Sequence, residues 1–170
     1  EERKGVRVLI NAMIELANKD KVVPFHLLVC GNKNNESQPF EAMLKGSEAE
    51  KHVTFAGYRN DIAELMSSSF VGVIASTGWD SFTMSSVEML ASGLPLIVSE
   101  LQGLKETIEP GICGEYIEPG NESALVAHLL NYVDNKTIHQ KHSIAARQRV
   151  LDKFSKVRQI QLLSKQIESC

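Results

Sequence analysis

Apolar positions along the chain switch between two spacings, and each switch marks an element. Val6, Leu9, Ile10, Met13, Ile14 and Ala17 recur every three or four residues and predict a helix that ends near Asn18. Residues 25–30 (FHLLVC) form a continuous apolar run stopped by Gly31 and the polar residues 32–37, the pattern of a strand covered on both faces. A helix is predicted over 39–44, a strand over 52–56 (HVTFA) ending at Gly57, a helix over about 60–67 and a strand over 70–75 (FVGVIA). After a loop through 76–81, the pattern gives a helix to Ser92, a strand over 94–98, a short helix near 103–108 and a strand near 114–117. Beyond Glu122 only helical spacing remains: Leu125, Val126, Leu129, Leu130 and Val133 form one stripe, and Phe154, Val157, Ile160, Leu163 and Ile167 another.

Strands alternating with helices through short connections predict an α/β fold, a Rossmann-like doubly wound parallel sheet with right-handed crossovers and a helical C-terminal layer. The 170 residues hold one core and not two, so residues 1–170 are expected to be a single domain. A doubly wound unit ordinarily places a strand before a helix such as the one opening at Lys4-Gly5, so the chain is expected to be a fragment.

Composition narrows the function classes. An apolar fraction of 43% with 23% charged residues is that of a globular protein. A net charge of -3 offers no positive field for a nucleic acid backbone, so no nucleic acid partner is expected. Cys30, Cys113 and Cys170 are odd in number and far apart, which suggests reduced thiols and a cytoplasmic location; Cys30 and Cys113 are read as packing residues. No stretch is long and apolar enough to span a membrane, and Glu1-Glu2-Arg3-Lys4 is not a signal peptide. His26, His52, His128, His139 and His142 lack metal spacing, and no metal site is expected; Lys141-His142 and Ser67-Ser68-Ser69 are read as surface features.

Open parallel sheets bind ligands beyond the carboxyl ends of their strands, which directs attention to residues 31–35, 57–60, 76–83 and 99–103. Neither G-x-G-x-x-G nor G-x-x-x-x-G-K-[ST] occurs, so nicotinamide dehydrogenases and P-loop nucleotidases are excluded. The richest stretch runs from Trp79 to Glu88, crossing from a strand end into a helix. Ser81 or Thr83 can cap that helix, Gly93 can supply a left-handed C-cap and Pro95 stops it, with Val87, Leu90 and Ala91 turned to the sheet. A helix starting at the carboxyl end of the sheet aims free N–H groups at the crevice and favours a phosphate there. Glu88 adjoins the buried stripe and so calls for hydrogen-bond donors, such as sugar hydroxyls. Taken singly, Lys4 reads as a solvated charge and Asp80 as a carboxylate flanking a helix start, while Trp79 suits packing or a pocket wall equally.

At these positions the sequence resembles the C-terminal, donor-binding domain of retaining glycosyltransferases of the GT-B fold, family 4 (glycosyl transferases group 1). The resemblance rests on Lys4-Gly5-Val6 with Leu9-Ile10-Asn11-Ala12, on residues 52–57 (HVTFAG) followed by Asp61-Ile62 and Glu64-Leu65, on Asp80-Ser81-Phe82 with residues 87–95 (VEMLASGLP), and on residues 114–120 (GEYIEPG). It implies a donor site in which Asp80 and Glu88, with seven residues between them, contact the transferred sugar and the nucleotide ribose respectively. It also implies that Lys4 neutralises the diphosphate, that backbone N–H groups of Phe82, Thr83 and Met84, beside Ser81, approach it, and that Gly57 and Tyr58 lie against the base. Asp80 stands where the family usually has Glu, and Ser81 where it commonly has Gly.

The activity implied is transfer of a sugar, in polysaccharide biosynthesis, from a nucleotide diphosphate sugar to a saccharide or lipid-linked acceptor. The nucleotide sugar is the substrate and no cofactor is expected. The acceptor would be held by an N-terminal domain that this sequence does not include, with peripheral association at the inner face of the membrane compatible with that arrangement. Two other readings stay open at this point: a non-catalytic nucleotide-sugar-binding module, suggested by Asp80 and Ser81, and a nucleotide-sugar epimerase of GT-B fold.

Overall fold

The computed structural model of the chain describes residues 2–19, 23–33 and 35–168. Cys170 lies outside them; Cys30 and Cys113 are free thiols. After a 3-10 turn at Glu2–Lys4 come α1 (Val6–Lys19), β1 (Leu27–Cys30), α2 (Gln38–Leu44), β2 (Val53–Gly57), α3 (Ile62–Ser68) and β3 (Gly72–Ile74). They are followed by α4 (Met84–Ala91), β4 (Leu96–Ser99), α5 (Gln102–Lys105), β5 (Gly114–Ile117), α6 (Glu122–Asp134), α7 (Lys136–Arg149) and α8 (Lys156–Glu168). Every predicted strand is present, and all pair in parallel.

The alternation along β4 shows how the layers form. Leu96 and Val98 join a cluster with Met66 of α3, Leu90 of α4, Leu104 of α5 and Ala146 of α7. Ile97, between them, packs with α1, α2 and α6 through Ile10, Leu16, Phe40, Leu125 and Val126. A period of two therefore places helices on both faces, as a doubly wound sheet requires.

The sheet itself departs from expectation, because it comes in two pieces. β1 pairs with β2, and β3, β4 and β5 pair in that order, but β1 and β3 do not pair with each other. Between them lies a slot of about 1150 Å3, lined by Phe25, Leu27 and Val29 on one side, by Val71 and Val73 on the other, and by Met13 of α1. β1 and β3 thus lie at the edges of the two pieces and line the slot between them.

Three smaller expectations are corrected. The stripe Val157, Ile160, Leu163 and Ile167 lies on α8 and is exposed, so periodicity identified the apolar face while no described residue covers it. Ala91 faces solvent at the last turn of α4, whereas Val87 and Leu90 are buried as expected. His142 is buried and not a surface feature: its Nδ1 is 2.9 Å from the Tyr132 hydroxyl and its Nε2 3.0 Å from the Gly111 carbonyl. A carbonyl only accepts, so Nε2 carries a proton and donates to Gly111.

Candidate functional site

Two glycines bring separate parts of the chain to the carboxyl end of β3. Gly5 follows the 3-10 turn with φ +74°, and a Cβ there would stand 1.7 Å from the Ala75 carbonyl oxygen, so only glycine lets the turn lie against the strand end. The Thr77 N–H donates to the Arg3 carbonyl at 2.9 Å, and the Arg3 guanidinium donates to the Trp79 carbonyl at 2.8 Å, fastening the turn to the loop after β3. Gly103 of α5 approaches the same loop from the other side: a Cβ there would lie 2.3 Å from the Ser81 carbonyl carbon and 2.4 Å from the Phe82 nitrogen. The Phe82 ring meets Phe154 edge-on at 5.3 Å, which anchors the loop a third time.

Lys4 and Asp80 meet in this clamp. The Lys4 ammonium donates to both carboxylate oxygens of Asp80 at 3.0 and 3.2 Å. The Ser76 hydroxyl donates to Oδ2 at 2.6 Å and the Ser81 N–H to Oδ1 at 3.0 Å. The Asp80 side chain is only 3% exposed, against 43% for that of Lys4. Burial works against the Asp80 charge, but the Ser76 hydroxyl, the Lys4 ammonium and the Ser81 N–H outweigh it and hold the carboxyl below its ordinary value. A depressed carboxyl contributes stability that is present above its unfolded value of about 3.9 and lost as pH falls through the folded one. The stability gap between the native chain and Asp80→Asn is therefore expected to be full at pH 7 and to narrow on acidification below about pH 4, read by denaturant unfolding across that range. A gap independent of pH would remove the ionised pair from the account.

α4 begins just beyond. Thr83 is its N-cap residue but makes no side-chain cap bond, contrary to expectation. Its hydroxyl lies 3.1 Å from that of Ser86, which in turn donates to the Thr83 carbonyl at 2.6 Å. The first-turn N–H groups of α4 thus receive no bond from the side chain of their N-cap residue and are open to an outside acceptor. Gly93, at φ +81°, supplies the expected left-handed stop.

Glu88 is placed differently from its sequence expectation. It is exposed on α4, and its carboxylate has no hydrogen-bond or ion-pair partner among the described residues. Burial therefore does not demand a ligand there; the carboxylate is simply open to one. Met84 and Trp79 are also exposed, Trp79 at 74%, which rules out a core-packing role for its ring.

At the ends of β1 and β2, the Gly31 N–H donates to the Gly57 carbonyl at 2.7 Å and the Gly57 N–H to the Asn32 side chain at 2.9 Å. Tyr58, next to it, is 79% exposed. Lys4 stands between the two groups of loops: it lines the slot with Asp80 and Thr83, and a second cavity of about 180 Å3 with Gly31, Asn32 and Ser37. The structure thus joins Lys4, Asp80 and Ser81 directly and brings Thr83 to the same slot. Among the described residues, Gly57, Tyr58, Met84 and Glu88 make no hydrogen bond or ion pair with Lys4 or Asp80. Ser76 and Gly103 fall within the strand-end segments 76–83 and 99–103, but the sequence gives neither a role, since a strand-end serine and a single glycine carry no motif of their own. Among the described residues, no group of three or more His, Cys, Asp or Glu is arranged to hold a metal ion.

A profile of the glycosyl transferases group 1 family matches residues 1–135, which takes in all of these positions except Phe154. The chain belongs to this family. It is 28% identical over 152 residues to phosphatidyl-myo-inositol mannosyltransferase of Mycobacterium leprae, covering 88% of this chain and 39% of that protein. It is 26% identical over 112 residues to N-acetyl-alpha-D-glucosaminyl L-malate synthase of Bacillus anthracis, covering 66% and 29%. In structure it superposes on Anabaena Alr3699/HepE in complex with UDP with a TM-score of 0.89 at 21% identity, over 100% of this chain and 46% of that one. The C-terminal domain of the group 1 family protein LpcC from Francisella tularensis gives a TM-score of 0.80 at 20% identity, over 92% and 82%. The chain therefore spans about two fifths or less of the length of the curated relatives named here, and its fold is that of GT-B glycosyltransferases. No helix among the described residues is long and apolar enough to cross a membrane.

Proposed function

We propose that this chain is the donor-binding part of a two-domain retaining glycosyltransferase, which moves a sugar from a nucleoside diphosphate sugar to a saccharide or lipid-linked acceptor. The carrying observation is the half-exposed Lys4 ammonium fixed at the carboxyl end of the sheet, close to a helix whose first-turn N–H groups lack a side-chain cap. Both features attract the same chemistry, a diphosphate. As the glycosidic bond breaks, negative charge grows on the departing diphosphate, and a fixed ammonium stabilises that change more than it stabilises the bound substrate. Glu88 accepts from the ribose hydroxyls, Phe82, Thr83 and Met84 offer backbone N–H groups, and Tyr58 beside Gly57 flanks the base. The nucleotide sugar is itself the substrate, so no cofactor enters.

The slot between β1 and β3 supports the view that the working unit is larger than this chain. Its strand walls are mostly apolar, and the facing edges of both strands are unpaired among the described residues. The acceptor is assigned to a second domain, in an enzyme of the cytoplasm that docks peripherally on the inner membrane face where its acceptor is lipid-linked. A non-catalytic nucleotide-sugar-binding module is the second reading, favoured by the near-complete closure of Asp80.

Titration of the chain with UDP, GDP, ADP and their sugars, followed by protein chemical shifts, tests the binding reading. Binding in the millimolar range by at least one of them, with no sugar transfer by the chain alone, is expected. Absence of shift changes with all of them at such concentrations would sink it. Activity of the full-length enzyme with its preferred donor separates the transferase from the inert module.

A further inference from the structure

The Asp80 carboxylate offers about four acceptor positions, and the structure fills them: two from the Lys4 ammonium, one from Ser76 and one from the Ser81 N–H. With 3% of its side chain exposed, it also has almost no surface to present to a ligand. A sugar hydroxyl could reach it only by evicting one of these donors. Aspartate's short side chain keeps the carboxylate close to its own backbone, where the Ser81 N–H and the buried Ser76 hydroxyl hold it. Lys4 is the complementary case. Its ammonium has three N–H donors, and 43% of its side chain is exposed, so it can hold Asp80 and still donate outward.

We propose that Asp80 is a positioning residue for Lys4, fixing the ammonium over the diphosphate site, and that it makes no contact with the transferred sugar. This rests on the donor-binding reading above and changes the role that family resemblance gives to position 80. Ser76, which orients the carboxylate from the buried end of β3, belongs to the same device. The free energy of the pair is thus delivered to the nucleotide part of the donor, and the diphosphate should respond to Asp80 whether or not a sugar is attached.

The test compares three probes, uridine, UDP and UDP-glucose, on the native chain and on Asp80→Asn, Lys4→Met, their combination and Ser76→Ala, with affinities taken from protein chemical-shift titrations. Asp80→Asn is expected to weaken UDP and UDP-glucose by the same factor, about tenfold, and to leave uridine unchanged; that factor corresponds to about 1.4 kcal/mol. Lys4→Met should do the same, and the double variant should be no worse than Lys4→Met alone, since the two act as a unit. Ser76→Ala should give a smaller loss, about threefold, with the same selectivity for phosphate-bearing probes, and it carries the test if Asp80→Asn does not fold. A loss confined to UDP-glucose assigns Asp80 to the sugar and overturns the proposal. A parallel loss of uridine marks a general disturbance and overturns it as well. If the native chain binds UDP but neither Asp80→Asn nor Ser76→Ala weakens it, this inference falls and the donor-binding reading stands. If the native chain binds none of UDP, GDP or ADP, both fall together.

Discussion

Gly5→Ala is expected to destabilise the chain by about 3 kcal/mol or more and to lower its melting temperature by on the order of 10 °C for a domain of this size. Two independent costs add. At φ +74° an L-residue sits in the left-handed region, at roughly 1–2 kcal/mol. The new Cβ would also fall 1.7 Å from the Ala75 carbonyl oxygen, inside any van der Waals contact, so the 3-10 turn or the end of β3 must move. That movement lifts the Lys4 backbone from its seat, and with it the ammonium that compensates the buried Asp80 carboxylate. A partner removed from a buried charge costs more than the pair contributes when intact. Thermal unfolding followed by circular dichroism measures the shift; a melting curve superposable on that of the native chain would show that the turn does not lie against the strand.

Glu88→Ala is expected to have the opposite profile, a large loss of binding with folding untouched. The residue is exposed and its carboxylate is unpartnered, so the substitution should change stability by less than about 0.5 kcal/mol. Removing a carboxylate that accepts from two ribose hydroxyls forfeits charge-assisted hydrogen bonds with a net worth of roughly 1.5–3 kcal/mol each, less for a group as exposed as this one. Nucleotide affinity should therefore fall about 30-fold or more, taking a millimolar interaction out of reach of titration, while the melting temperature stays within about 2 °C. Unchanged nucleotide affinity in Glu88→Ala would remove the ribose contact from the proposal.

These two residues also mark how far the sequence could be read. The strands and most of the helices follow from spacing, because a buried run such as residues 96–99 and a three-four stripe such as Ile10, Met13 and Ala17 are imposed by the geometry of sheet and helix themselves, although Val8 and Leu16, outside the predicted stripe, are buried more deeply than Ala17. The neighbourhood of Lys4 and Asp80 was marked by family resemblance, but their ion pair was not visible: they are 76 positions apart, and the clamp depends on Gly5 and Gly103, whose roles exist only in three dimensions. Glu88 was expected to be drawn inward by its apolar neighbours, yet one position is a rotation of about 100° on a helix, enough to move it from buried Val87 to solvent. His142 was misplaced because its polar identity suggests a surface, while Tyr132 and the Gly111 carbonyl satisfy it within the fold. The division of the sheet was equally hidden, since period and burial describe each strand but not which edges find a neighbour.

That division governs how the chain should behave in a tube. Among the described residues, the parallel edges of β1 and β3 are unpaired and line a common, mostly apolar slot, so an extended segment entering it could gain backbone pairing on two sides at once while burying its side chains. In a concentrated solution the nearest such segments belong to other copies. Self-association that grows with concentration and is relieved by a short apolar strand-forming peptide is the colloidal signature to look for.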